Sequence, residues 1–166
     1  MPLTGTPVLR IAMPGDADAV RAVVKAAYEP WIPVIGMRPL PLEADYDQLI
    51  GAGSVTVLIE PGAGTIAALI VLVPEPEALL IENVAVDPVF QRRGFGRILL
   101  THAEDVARSA GLGTVRLYTH RLMATNIALY ERLGYAITTR DTHEGRPVVH
   151  LAKTLVNRGD GSPGSS

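Results

Sequence analysis

Val84-Ala85-Val86-Asp87-Pro88-Val89-Phe90-Gln91-Arg92-Arg93-Gly94-Phe95-Gly96-Arg97-Ile98 carries a strand end, a loop and a helix start in one unbroken run. Asp87-Pro88 stops the apolar strand, two glycines flank Phe95, and apolar residues then recur at helical spacing. At such a helix start the first backbone N–H groups lack intrahelical acceptors, and the peptide dipoles add partial positive charge. Together they bind phosphate oxygens. Arg92, Arg93 and Arg97 add formal positive charge to the same spot. A glycine pair before a helix is also what a plain tight turn looks like, so the loop by itself leaves both readings open. Two other phosphate motifs do not fit. The P-loop needs Lys-Ser or Lys-Thr after its second glycine, where this chain has Arg97-Ile98, and the dinucleotide fingerprint needs a small residue where Leu99 stands.

Downstream, Gly96 to Ala110 reads as a helix with Leu99, Ala103, Val106, Ala107 and Ala110 on one face and Gly111 at the C′ position. Thr114 to Thr119 reads as a strand. Thr125 can cap a helix that runs to Leu133 and stops at Gly134, and short strands follow around Tyr135 to Thr139 and Val148 to Ala152. Upstream, Val8 to Ala12 is a first strand. Asp16 caps a helix that ends before Pro30, four prolines make residues 30 to 41 irregular, and a second helix spans Leu42 to Ile50. Strands are expected at Val55 to Ile59, Thr65 to Val73 and Leu79 to Val86, the middle one buried on both faces. The order β-α-α-β-β-β-α-β-α-β-β gives an α/β fold, a central mixed sheet flanked by helices. Residues 1 to 156 form one domain, and the Gly/Ser-rich residues 157 to 166 are expected to be a disordered tail.

Composition narrows the function. With 48% hydrophobic residues and a net charge of −2, the chain has material for a core and no basic excess that would suit nucleic acid. The absence of cysteine removes disulfides, thiolate catalysis and cysteine-bound metal. His102, His143 and His150 show no metal-ligand spacing, so no metal is expected. No apolar run approaches the roughly 18 residues of a membrane span, and nothing at the N-terminus reads as a signal peptide. The expectation is a cytoplasmic protein without a membrane partner.

The run Gln91-Arg92-Arg93-Gly94-Phe95-Gly96, preceded by Val84-Ala85-Val86-Asp87-Pro88, resembles the acetyl-CoA signature of the GNAT acetyltransferase superfamily. A second match follows at Asn126-Ile127-Ala128-Leu129-Tyr130-Glu131-Arg132-Leu133-Gly134-Tyr135. The resemblance implies that backbone N–H groups of Gln91, Arg92, Arg93, Gly94, Phe95 and Gly96, with Arg97 beside them, cradle the pyrophosphate of acetyl-CoA. It implies that pantetheine lies along Val84, Ala85 and Val86, where this strand splays from its neighbour, and that Asn126 contacts the cofactor. The implied activity is acetyl transfer to a primary amine by direct attack on the thioester.

That chemistry needs a neutral amine and a proton for the leaving thiolate, while a free alkylamine with a pKa of about 10.4 is mostly protonated at neutral pH. Tyr130, one helical turn after Asn126, is the residue the resemblance makes the general acid. Glu82 interrupts an apolar strand, and a carboxylate there demands an explanation. It is the candidate base, directly or through water, and His120 at the next strand end is the other candidate for proton handling. The resemblance places the acceptor among Tyr28, Trp31, Ile32, Ile35, Met37 and Tyr46, with the loop Asp141 to Arg146, and His120 is a further candidate for the substrate side. A small-molecule or peptide amine is expected, taken by a monomer or homodimer. The alternatives are a non-catalytic acyl-CoA-binding regulatory module on the same fold and an unrelated nucleotide-phosphate binder.

Overall fold

Among the described residues, seven strands form one sheet in the order β1-β2-β3-β4-β5-β7-β6. The computed structural model describes residues 5 to 156, so the expected disordered tail lies outside the described residues. The strands are β1 (Val8–Ile11), β2 (Val55–Ile59), β3 (Ile66–Pro74), β4 (Leu79–Val86), β5 (Thr114–His120), β6 (Ala136–His143) and β7 (Arg146–Thr154). The helices are α1 (Ala17–Tyr28), α2 (Ile32–Ile35), α3 (Tyr46–Gly51), α4 (Phe95–Ser109) and α5 (Ala124–Arg132). Every strand pair is antiparallel except β4 and β5, which α4 joins as a parallel crossover. The fold is the expected mixed sheet with helices on both faces.

β3 is the centre of the packing. Ala67 through Leu72 are buried because α1 covers one face of the strand and α4 the other, as its unbroken apolar run requires. On the α4 side Leu99, Leu100, Ala103 and Ala107 meet Ile70, Leu79, Ile81, Val115, Leu117 and Leu151. On the α1 side Val20, Val23, Val24 and Ile50 meet Val55, Val57, Leu69 and Val71.

Local chemistry moves several boundaries from where the sequence puts them. The segment expected to be one helix from Leu42 divides, because Ala44 is extended and the Asp45 carboxylate accepts the Gln48 N–H at 3.1 Å, starting α3 at Tyr46. The proline-rich stretch contains the short α2, with Pro33 in its first turn and Gly36 closing it at φ 75°. Thr125 does not cap α5; the helix begins one residue earlier, after Met123. Asp16 precedes α1, but its carboxylate accepts the Met13 N–H and pairs with Arg10 instead of capping the helix. The last two strands run longer than expected because their hairpin pairing continues out to His143 and Arg146.

Two irregularities in β4 shape the site. Val71 pairs with Asn83 and Leu72 with Ile81, which leaves Glu82 as the extra residue of a β-bulge. Side chains of successive odd residues would share a face in a regular strand. Across this bulge they change sides: Leu79 and Ile81 join the α4 core, while Ala85 joins the α1 core. The second irregularity is that β4 pairs with β5 only from Leu79↔Val115 to Ile81↔Leu117. Beyond Ile81 the two strands part, and β5 continues against β7 alone.

Candidate active site

The loop after β4 has the backbone that anion binding needs. Gln91 N–H reaches the Pro88 carbonyl at 3.4 Å, and the first bond of α4 runs from Ile98 N–H to Gly94 O at 3.1 Å. Between them the N–H groups of Arg92, Arg93, Gly94, Phe95, Gly96 and Arg97 meet no acceptor among the described residues. The run of unengaged donors thus begins at Arg92, one residue later than the signature's first position. Left-handed conformations at Arg92 (φ 67°) and Gly94 (φ 79°) turn these groups. The Phe95 side chain is core, 6.4 Å from the Phe90 ring, so that residue offers the loop only its backbone. The arginines separate in role. Arg93 lies over the Phe90 ring and 3.5 Å from Glu60, whereas Arg92 and Arg97 have no carboxylate within ion-pair distance among the described residues. Glu60 is held below the usual carboxylate range by the N–H groups of Ala63 and Gly62, with Arg93 adding to them.

Where β4 and β5 part, a cleft opens between them. Glu82, Asn83 and Val84 line it from β4, Tyr118, Thr119 and His120 from β5, and Asn126 and Tyr130 from α5. Val84 through Val86 have β3 on one side and, among the described residues, no strand on the other, which leaves this edge available to a ligand. Glu82 has no hydrogen bond or ion pair among the described residues. Its charge raises the hydroxyl pKa of both Tyr46 and Tyr118, after the larger effect of burial on each.

Tyr130 is buried to 7% exposure, yet its hydroxyl has no partner among the described residues and is not sealed off, so it opens on the cleft. Burial pushes this hydroxyl well above its ordinary value, so it stays protonated at neutral pH.

The acceptor residues divide. Tyr28 and Tyr46 line the cleft and are joined through Asn83. The Tyr28 hydroxyl donates to Asn83 Oδ1 at 2.5 Å and lies 3.0 Å from the Val84 carbonyl; Asn83 Nδ2 donates to Tyr46 Oη at 2.9 Å, and Tyr46 donates to Pro41 O at 2.7 Å. His120 is on the wall as expected. Trp31 is not: it packs, partly buried, against the α1 core, while Ile35 at the end of α2 reaches the cleft. Arg146, from the loop expected at the acceptor, also lines the cleft, whereas Asn83 and Tyr118 are residues the sequence did not single out. The adjacent polar pair Glu82-Asn83 in an apolar strand was the available signal, since one extra residue lets both escape the α4 core.

The sequence model of the acetyltransferase (GNAT) family matches residues 20–135. The chain belongs to this family. Over 53 residues it is 51% identical to the [ribosomal protein bS18]-alanine N-acetyltransferase of Salmonella typhimurium, covering 32% of this chain and 36% of that protein. It is also 36% identical over 66 residues to streptothricin acetyltransferase of Streptomyces lavendulae, covering 40% of this chain and 35% of that one. The matched stretch therefore spans about a third of these curated relatives' length. The fold extends further. The PaiA N-acetyltransferase of Thermoplasma acidophilum, solved in complex with coenzyme A, superposes with TM-score 0.73 at 15% identity, over 91% of this chain and all of that one. The ribosomal-protein-S18-alanine N-acetyltransferase of Escherichia coli superposes with TM-score 0.68 at 22% identity, over 95% of this chain and 99% of that one.

Proposed function

We propose that this protein is an acetyl-CoA-dependent N-acetyltransferase that moves an acetyl group onto a primary amine by direct attack on the thioester. The observation that carries the reading is the parting of β4 and β5 beyond Ile81 and Leu117. It leaves one unpaired strand edge running from the cleft with Glu82 and Tyr130 to the free amides of Arg92 to Arg97. The amides and the charges of Arg92 and Arg97 hold the pyrophosphate. The edge Val84 to Val86 offers main-chain donors and acceptors to the pantetheine amides, and Asn126 contacts the same arm.

The thioester supplies an activated acyl carbon and a thiolate leaving group. Glu82, unpaired at its bulge, takes the proton of the attacking amine directly or through one water. As the nitrogen–carbon bond forms and the carbon–sulfur bond breaks, Tyr130 gives its proton to sulfur, and solvent returns the proton gained by Glu82 to Tyr130. Tyr28, Tyr46 and His120 shape the amine end. The named relatives act on a protein alanine and on streptothricin, which supports an amine acceptor, small or peptidic.

Calorimetry with acetyl-CoA, CoA and ATP tests the cofactor, and a thiol-release assay over an amine panel tests the transfer. Binding of both CoA species with amine-dependent thiol release is expected. ATP binding without CoA binding would overturn the cofactor; CoA binding without release for any amine would make the protein a non-catalytic acyl-CoA module.

A further inference from the structure

His120 has one ring nitrogen committed by the backbone. Nδ1 accepts the Leu122 N–H at 3.1 Å, so the Nδ1 lone pair faces a hydrogen and the proton of the neutral ring must be on Nε2. The residue is 8% exposed and lines the cleft, and Nε2 has no partner among the described residues and is not sealed. Taking up a second proton would place it on Nδ1, against the Leu122 N–H. Burial first, then the charges of Arg121 and Arg146, holds the ring below its ordinary 6.5, so it is neutral at pH 7.

Arg146 stands beside it. His120 pairs with Val148 on β7, and Arg146, two residues from Val148, projects to the same side of the sheet as its diagonal neighbour. Arg146 also lines the cleft. Its guanidinium donates to Arg38 O at 3.0 Å and 3.3 Å and to Glu144 O at 3.2 Å, with no carboxylate in ion-pair reach among the described residues. The fork keeps N–H groups unengaged.

Resting on the acetyltransferase reading, we infer that His120 Nε2–H and Arg146 together bind an oxygen of the acceptor next to its amine, making His120 a positioning residue and not the base. Glu82 serves the amine while the two donors serve the oxygen. The acceptor is then an α-amino carbonyl compound: an amino acid, its amide, or a peptide amino terminus. A plain alkylamine offers neither donor an acceptor, and sites built to hydrogen-bond a ligand oxygen reject analogues that lack it.

The test uses alaninamide, alanine and isopropylamine, which share a branched carbon beside the amine and differ in the oxygen. CoA binding is measured first by calorimetry; its failure would remove the acetyltransferase reading and is seen before any acceptor is added. On the enzyme–CoA complex alaninamide and alanine are expected to bind at least about tenfold more tightly than isopropylamine. His120→Leu is expected to raise the acceptor KM about tenfold with the acetyl-CoA KM and kcat kept. His120→Gln, whose terminal N–H reaches the place of Nε2–H, restores the KM. Equal binding of isopropylamine and alaninamide, or no alaninamide binding, would overturn the inference. So would an equal loss of kcat in the Gln and Leu variants, which is the behaviour of a base.

Discussion

The carbonyl of Tyr130 accepts the backbone N–H of Tyr135 at 3.0 Å, across the end of α5. With the Gly134 N–H on the Glu131 carbonyl at 3.1 Å and Gly134 in the left-handed region at φ 97°, this is a Schellman close. It brings the two rings to 6.3 Å, edge to face. The residue offered as the general acid is therefore fixed by the glycine four positions after it.

Gly134→Ala is accordingly expected to destabilise the protein by about 2 kcal/mol, since a side chain at this φ is strained and would also meet Lys153 Cε at 3.2 Å. Urea unfolding measures the loss. Acetyl transfer by the folded variant should also fall, because Tyr130 loses its anchor.

Tyr130→Phe removes a hydroxyl that no group of the described chain uses. Stability should stay within about 0.5 kcal/mol of wild type. Thiol release should drop about 100-fold in kcat with CoA affinity unchanged. Unchanged turnover would take Tyr130 out of its role.

The Tyr28–Asn83–Tyr46 chain is buried, and each of its side-chain polar atoms has a partner. Tyr28→Phe leaves Asn83 Oδ1 without its donor, at about 1–3 kcal/mol. Thermal unfolding measures this, and the double variant Tyr28→Phe/Asn83→Leu should recover part of it.

Glu75 accepts two bonds from Arg116, each 2.6 Å, which hold its carboxyl below the usual range. A depressed folded pKa gives stability that is present above the unfolded value of about 4.3 and is lost as pH falls through the folded one. Glu75→Gln should therefore flatten the stability–pH curve below about pH 4.3 and lower the plateau above it. Urea midpoints at pH 3 to 7 give both limbs.

Arg92 holds φ 67° without being glycine. Arg92→Gly should raise stability by about 0.5 kcal/mol through relief of that strain. The same change should weaken CoA binding, since it removes one unpaired charge at the loop. Calorimetry in low salt separates the two effects.

Much of this was legible in the chain itself. The strand, turn, glycines and amphipathic helix of residues 84 to 110 are local features, and local propensity and period determine them without help from distant residues. The same holds for Gly111 and Gly134, which end their helices where the sequence puts them. The two motifs also pointed to the family. What stayed hidden depends on strand pairing. No periodicity in Leu79 to Val86 reveals that Glu82 is a bulge, because the extra residue exists only relative to β3. The parting of β4 and β5, the exclusion of Trp31 from the cleft and the pairing that sets Arg146 beside His120 are likewise relations between segments far apart in the chain. Sequence determined which backbone groups could hold a phosphate; only the packed sheet decided which side chains face the place where that ligand would lead.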